Sequence, residues 1–190
     1  RLLIGLYLAD VVLLLIATKT RSAWASCWAF FAIYGLIRDR RFLAVALVAP
    51  VAMLLHPEIR ERVLDVSTRT SVRVGDELDS FAWRLKLWGS SLPLIRRRWF
   101  MGYGLASFGS MAQSFFKVES MVRQNIPSHN SYLELLFETG VGGLAAWLSL
   151  FTFTIGTFWK RLRRASVAAG NEFVIVLAAL VSYLMVCLSD

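Results

Sequence analysis

The densest run of reactive side chains in the chain is Pro127-Ser128-His129-Asn130-Ser131-Tyr132-Leu133-Glu134, at the threshold of a long apolar stretch. Ser131 and Glu134 carry the spacing of a capping box, so a helix is expected to open at Ser131 with His129 just ahead of it. A helix N-terminus leaves N–H groups unpaired and holds partial positive charge. It attracts a phosphate and disfavours a second positive charge, which keeps a nearby imidazole neutral and able to accept a proton. General-base chemistry is one reading of His129; a histidine that merely solvates a helix end is the other. Arg21 sits at the end of an apolar run, where an arginine can clamp a lipid-linked phosphate or simply snorkel to the headgroups. Arg84, within Trp83-Arg84-Leu85-Lys86-Leu87-Trp88, fits either an anionic ligand or lipid headgroups, and Arg96-Arg97-Arg98 reads as a solvated or headgroup-facing run.

Glu134 and Glu138 lie one turn apart on one helix face, and a carboxylate in an apolar span must point to protein or water. Glu134 has a place in the capping box; Glu138 has none there and is free to pair with an arginine. Asp10 poses the same question without an assignment. Gly140, Gly142 and Gly143 would allow close helix approach. The chain shows no phosphate loop of Walker type, no nucleophile elbow and no zinc-ligand spacing, and Gly102-Tyr103-Gly104 alone is too short to define a phosphate site. Cys27 and Cys187 both fall inside apolar runs and offer neither a disulfide framework nor a metal site. No metal and no cofactor are expected.

The elements that must position these residues follow from composition. With 57% hydrophobic and 18% charged residues over 190 positions, and a mean hydropathy of +0.57, the chain reads as a membrane protein. The net charge of +8 does not mark a nucleic-acid binder, because the basic residues fall in short clusters between apolar runs, as topology signals do. The expected fold is all-α: a polytopic bundle with about five spans here, part of a larger bundle, and a large periplasmic loop of short helices. Residues 1–55 hold three spans, Leu2 to Thr18, Ser22 to Ile37 and Phe42 to Leu55. Residues 56–130 form the loop, which carries about half of the chain's charged residues; within it a helix is expected over Leu78 to Ile95, an amphipathic helix over Pro57 to Val66 and a turn at Val74-Gly75-Asp76. Residues 131–190 hold two uninterrupted spans, Ser131 to Trp159 and Phe173 to Leu188, joined by a basic turn. The chain starts at Arg1 with no signal-peptide pattern and reads as an excerpt of a longer protein.

The Arg38–Arg41 and Lys160–Arg164 clusters belong in the cytoplasm by the positive-inside rule, and the two spans between them keep that placement consistent. The long loop and the Lys19–Arg21 turn then face outward. A polar substrate handled there cannot draw on cytoplasmic nucleotide sugars, so an activated donor would arrive on a lipid.

His129-Asn130-Ser131-Tyr132-Leu133, followed by Glu138, Gly140 and Gly143, resembles the His-Asn-x-Tyr-Leu and Glu-x-Gly-x-x-Gly pattern of the O-antigen ligase and polymerase family of bacterial membrane glycosyltransferases. Arg84 and Trp88 resemble that family's Arg-x-x-x-Trp element. Trp99, Gly102 and Gly104 resemble its Pro-x-x-Gly-x-Gly element, with Trp99 where a proline is common. Thr20-Arg21-Ser22-Ala23 resembles its Ser-Arg-Gly-Ala turn, with two substitutions.

The resemblance implies metal-independent, inverting transfer of a glycan from undecaprenyl diphosphate to an acceptor hydroxyl at the periplasmic face of the inner membrane, in lipopolysaccharide or exopolysaccharide biosynthesis. The acceptor would be lipid A core, a growing glycan or a protein. His129, Arg84 and Arg21 become the expected catalytic residues, the two arginines as diphosphate clamps. Asn130, Tyr132, Trp88, Gly102, Gly104 and Glu138 become the expected substrate-binding residues, with Glu138 orienting a basic group. Membrane lipids, but no nucleic acid, are the other expected partners. A transporter or channel, such as a carbon-uptake component sharing the domain, is the competing reading, since Asp10, Glu134 and Glu138 would serve a pathway. Transporters, however, tend to show repeated, broken helices, which the sequence does not display.

Overall fold

The computed structural model describes residues 21–54, 80–116 and 125–188, together with residues 10, 14 and 60. These described residues are all-helical. Six helices run in order: α1 Arg21–Ile37, α2 Arg41–Leu54, α3 Ser80–Arg97, α4 Ser107–Phe115, α5 Ser131–Leu162 and α6 Val167–Val186. Two stretches, Ser131–Leu162 and Ala169–Val186, are long and apolar enough to cross a membrane, while Ser22–Ile37 is apolar but shorter. Of the expected first span only Asp10 and Leu14 are described, both helical and exposed. The expected helix over Pro57 to Val66 and the turn at Val74 to Asp76 lie outside the described residues, apart from Arg60.

The described residues form two compact units, one drawn from Arg1–Val48 and Phe158–Ser189 and the other from Ala49–Thr157. In the first, the turn between α1 and α2 is built by Asp39, whose carboxylate accepts the Arg41 N–H at 3.0 Å. The Trp28 indole N–H donates to the Ala46 carbonyl at 2.6 Å, and Phe31 stacks on Phe42. α1 packs on α6, whose buried Val174, Leu177, Ala178 and Ser182 repeat at helical spacing. Arg38 Nε donates to the side chain of Asn171, so the basic turn after α1 and the turn before α6 lie at the same end of this unit.

The second unit has a core of its own, and it is largely aromatic. Leu87, Ser91 and Ile95 repeat every four residues along α3, which turns one stripe of that helix inward. Phe108 and Ala112 of α4 and Phe137 of α5 meet this stripe, with Trp83, Trp88, Tyr103 and Phe115 packed around them. Phe137 lies 4.8 Å from Tyr103, stacked, and 5.1 Å from Phe108, edge-on. Full burial of each phenylalanine is worth about 1.5–3 kcal/mol, so this cluster dominates the packing of the unit.

One expectation fails here. α5 is not an uninterrupted helix: Gly140 takes φ 68° and ψ −170°, a conformation only glycine adopts readily, and the helix breaks there. The rings of Tyr132 and Trp147 lie 5.3 Å apart. A straight helix would separate those positions by about 22 Å, so α5 bends back sharply at the break. The apolar stretch that follows, Val141 to Trp159, still measures about 28 Å, close to the thickness of a bilayer core.

Candidate functional site

The break in α5 is held open by backbone. A regular helix would give the Phe137 carbonyl the Val141 N–H; instead the Phe137 and Glu138 carbonyls accept the N–H groups of Tyr103 and Gly104, at 3.0 and 2.8 Å, and Val141 N–H donates to the Trp99 carbonyl at 2.8 Å. Such close approach demands missing side chains. A Cβ on Gly102 would overlap the Glu138 carbonyl, and one on Gly140 would overlap the Phe100 carbonyl; both glycines, like Gly104, also have positive φ. Gly102 and Gly104 therefore meet Glu138 through main chain, and the glycine at 140 admits a loop rather than a neighbouring helix.

Glu138 is 7% exposed, and its Oε1 accepts the N–H of Phe108, in the first turn of α4, at 3.3 Å. A carboxylate suits this place because the start of α4 presents unpaired N–H groups and partial positive charge. The bond also ties α4 to α5 beside the glycine interlock.

The segment ahead of α5 is organised by Ser128, which is fully buried. Its hydroxyl donates to Glu134 Oε2 at 2.5 Å and accepts the Asn130 N–H at 3.1 Å. The helix cap is Asn130, whose Oδ1 accepts the Leu133 N–H at 3.0 Å. The expected Ser131–Glu134 capping box is thus displaced by one residue, because Asn130 supplies the acceptor and the Glu134 carboxylate reaches back to Ser128.

His129 lies between Ser128 and Asn130 with φ 52°, the left-handed region that few non-glycine residues occupy. Its ring is half-buried and packs edge-on against Trp83, 6.0 Å between centroids. Five residues along α3 from Trp83, the Trp88 indole N–H donates to the Ser128 carbonyl at 2.7 Å. Two tryptophans of α3 therefore flank the His129 segment. Arg84, partly exposed, stands one turn before Trp88, where side chains four apart share a helix face. The Trp83 indole N–H is buried and has no hydrogen-bond partner among the described residues.

Of the expected residues, the structure gathers His129, Asn130 and Trp88 around Ser128, with Arg84 on the adjoining turn of α3. It gathers Gly102, Gly104 and Glu138 around the break in α5. Tyr132 packs on Trp147 beyond the bend, and Arg21 opens α1 in the first unit. Ser128 and Trp83 are the contributors that residue types alone did not mark. A serine in a polar run gives no sign of burial, whereas the pairing of Trp83 with Trp88 around Arg84 was a visible signal.

A search of curated proteins finds no match to the chain. The profile of the O-antigen ligase family matches residues 6–148, which takes in the interlocked glycines, Glu138 and the whole segment around His129. With that match over most of its length, the chain belongs to the O-antigen ligase family of glycan-transferring membrane proteins.

Proposed function

We propose that the chain transfers or polymerises an undecaprenyl-diphosphate-linked glycan onto an acceptor hydroxyl at the periplasmic face of the inner membrane, as an O-antigen ligase or polymerase. The observation that carries this reading is His129 at positive φ, its ring against Trp83 while Trp88 of the same helix, which also bears Arg84, holds the preceding Ser128 carbonyl. A non-glycine residue kept at positive φ costs free energy that the surrounding contacts must offset, and such outliers cluster at functional sites.

In this reading His129, as neutral imidazole, takes the proton of the acceptor hydroxyl while that oxygen attacks the anomeric carbon from the face opposite the diphosphate. The bond from that carbon to the diphosphate oxygen breaks, the configuration inverts, and undecaprenyl diphosphate departs with the bonding pair. Arg84 stabilises the charge that grows on the leaving group, a role that the family resemblance also implies for Arg21; a fixed donor of this kind contributes about 10²–10³ in rate. Asn130 and Tyr132 contribute to substrate binding. No step calls on a metal.

The membrane orientation is supported from the first unit. The Arg38–Arg41 turn contacts the first turns of α6 through Asn171, so it and the Lys160–Arg164 cluster lie at one end, which the positive-inside rule assigns to the cytoplasm. One apolar stretch, Val141 to Trp159, separates the Lys160–Arg164 cluster from the His129 segment in the chain, which supports an outward placement of that segment.

The broken α5 revives the transporter reading, because transporters use unwound helix backbone to coordinate ions. Here the carbonyls of Phe137 and Glu138 released by the break are taken by Tyr103 and Gly104, which favours the transferase. The test is a gel of surface polysaccharide and lipid-linked glycan from the source strain lacking this gene, complemented with wild type, His129→Ala or Arg84→Ala. Full-length chains stranded on the lipid indicate a ligase, and cores capped by one repeat indicate a polymerase. Normal glycan in the deletion strain, or full rescue by both variants, would overturn the proposal.

A further inference from the structure

Outside the His129 site, the most unusual surface of the second unit is the turn that follows α3. Trp99, Phe100, Met101 and Leu105 are 59, 58, 75 and 79% exposed, four large apolar side chains within seven residues. Arg96, Arg97 and Arg98 precede them, all exposed. The Arg98 guanidinium lies over the Tyr103 ring at 5.0 Å, and Arg97 to Gly102 line a shallow open cleft. This turn is not a loose tip: Val141 N–H donates to the Trp99 carbonyl, Gly104 N–H to the Glu138 carbonyl, and Gly140 lies directly against Phe100.

Val141 is where the apolar stretch of α5 begins. A main-chain bond from Trp99 to Val141 fixes the turn at the level of that end, the boundary between hydrocarbon and headgroups. Aromatic side chains concentrate at that level, and arginines beside them meet lipid phosphates. From this geometry we infer that residues 96–105 form an interfacial anchor: Trp99, Phe100, Met101 and Leu105 enter the outer edge of the bilayer while Arg96 and Arg97 bind anionic lipid headgroups. The occupant of this surface is the bilayer itself. Because the same turn is interlocked with the break in α5, and Phe137 and Leu133 of α5 lie in the aromatic core, the anchor also sets the height of the His129 segment relative to the lipid phosphates. The anchor rests on the outward orientation proposed above but not on the transfer reaction.

The test places an environment-sensitive nitrobenzoxadiazole label at Met101→Cys in a chain carrying Cys27→Ala and Cys187→Ala, reconstituted in nanodiscs of phosphatidylglycerol and phosphatidylcholine. The anchor predicts blue-shifted emission, stronger quenching by lipids bearing a nitroxide near the headgroup than by those bearing one deep in the chain, and weaker quenching after Arg96→Gln with Arg97→Gln. Emission as in water with full quenching by aqueous iodide would overturn it. So would blue-shifted emission that no lipid nitroxide quenches, since protein would then cover the turn. Should the cysteine-free chain fail to fold, native fluorescence decides: wild type is expected to lose more emission to brominated lipids than Trp99→Phe, and equal losses would overturn the inference.

Discussion

His129 has an unusual backbone for a residue with a side chain, and its neighbours account for it. Ser128 is buried and bonded on one side, Asn130 caps α5 on the other, and Trp83 packs against the ring, so the left-handed turn between them has little alternative. His129→Ala should leave expression and membrane insertion intact while lowering glycan transfer by about 10²–10⁴, the range for loss of a general base, as read from transfer to a purified acceptor in proteoliposomes. Ser128→Ala tests the frame rather than the chemistry. It removes the donor to Glu134 and the acceptor of the Asn130 N–H, two partly buried bonds, so a loss of about 1–3 kcal/mol is expected in thermal unfolding of the detergent-solubilised protein. The position of His129 and Asn130 at the start of α5 was legible, because a polar run ahead of an apolar stretch marks a helix opening. The part played by Ser128 was not, since a hydroxyl acquires it only once a turn buries it.

Among the elements, α3 was legible almost to its ends, because Leu87, Ser91 and Ile95 write one helical face plainly; the expected 78–95 became Ser80–Arg97. α5 was legible as a helix but not as a bent one. Its apolar side chains run past Gly140 without a change of character, and the partner that opens the break, the turn from Trp99 to Gly104, lies some 40 residues earlier in the chain. Gly140→Ala puts a Cβ into the Phe100 carbonyl at a dihedral that alanine does not tolerate. A destabilisation of about 3 kcal/mol or more is expected, from backbone strain and overpacking together. Gly156→Ala is the matched control: nothing lies within 4 Å of its Cβ, so thermal unfolding should stay within about 1 kcal/mol of wild type, with any shift upward.

At the scale of the whole molecule, charge distribution carried more than helix length did. Two basic clusters far apart in sequence come to one end of the first unit, through Arg38 and Asn171, as their composition requires of a shared side. Arg40→Cys and Arg161→Cys, each on a background without Cys27 and Cys187, should resist a membrane-impermeant maleimide in spheroplasts and react after lysis, whereas Ser110→Cys, exposed outside the 96–105 turn, should react in intact spheroplasts. The number of spans was less legible, because α2 has only 14 residues and apolar length alone does not separate a short span from a half-inserted helix.

The main-chain interlock of residues 99–104 with 137–141 has a consequence for biogenesis. The turn and α4 leave the ribosome well before α5, yet Phe137, the ring that Tyr103 and Phe108 pack against, arrives only with α5. Until then their aromatic faces lack the ring that closes the core, so the unit can complete only after α5 has emerged. Closure of the aromatic core thus waits on the arrival of α5 and is a late step of synthesis.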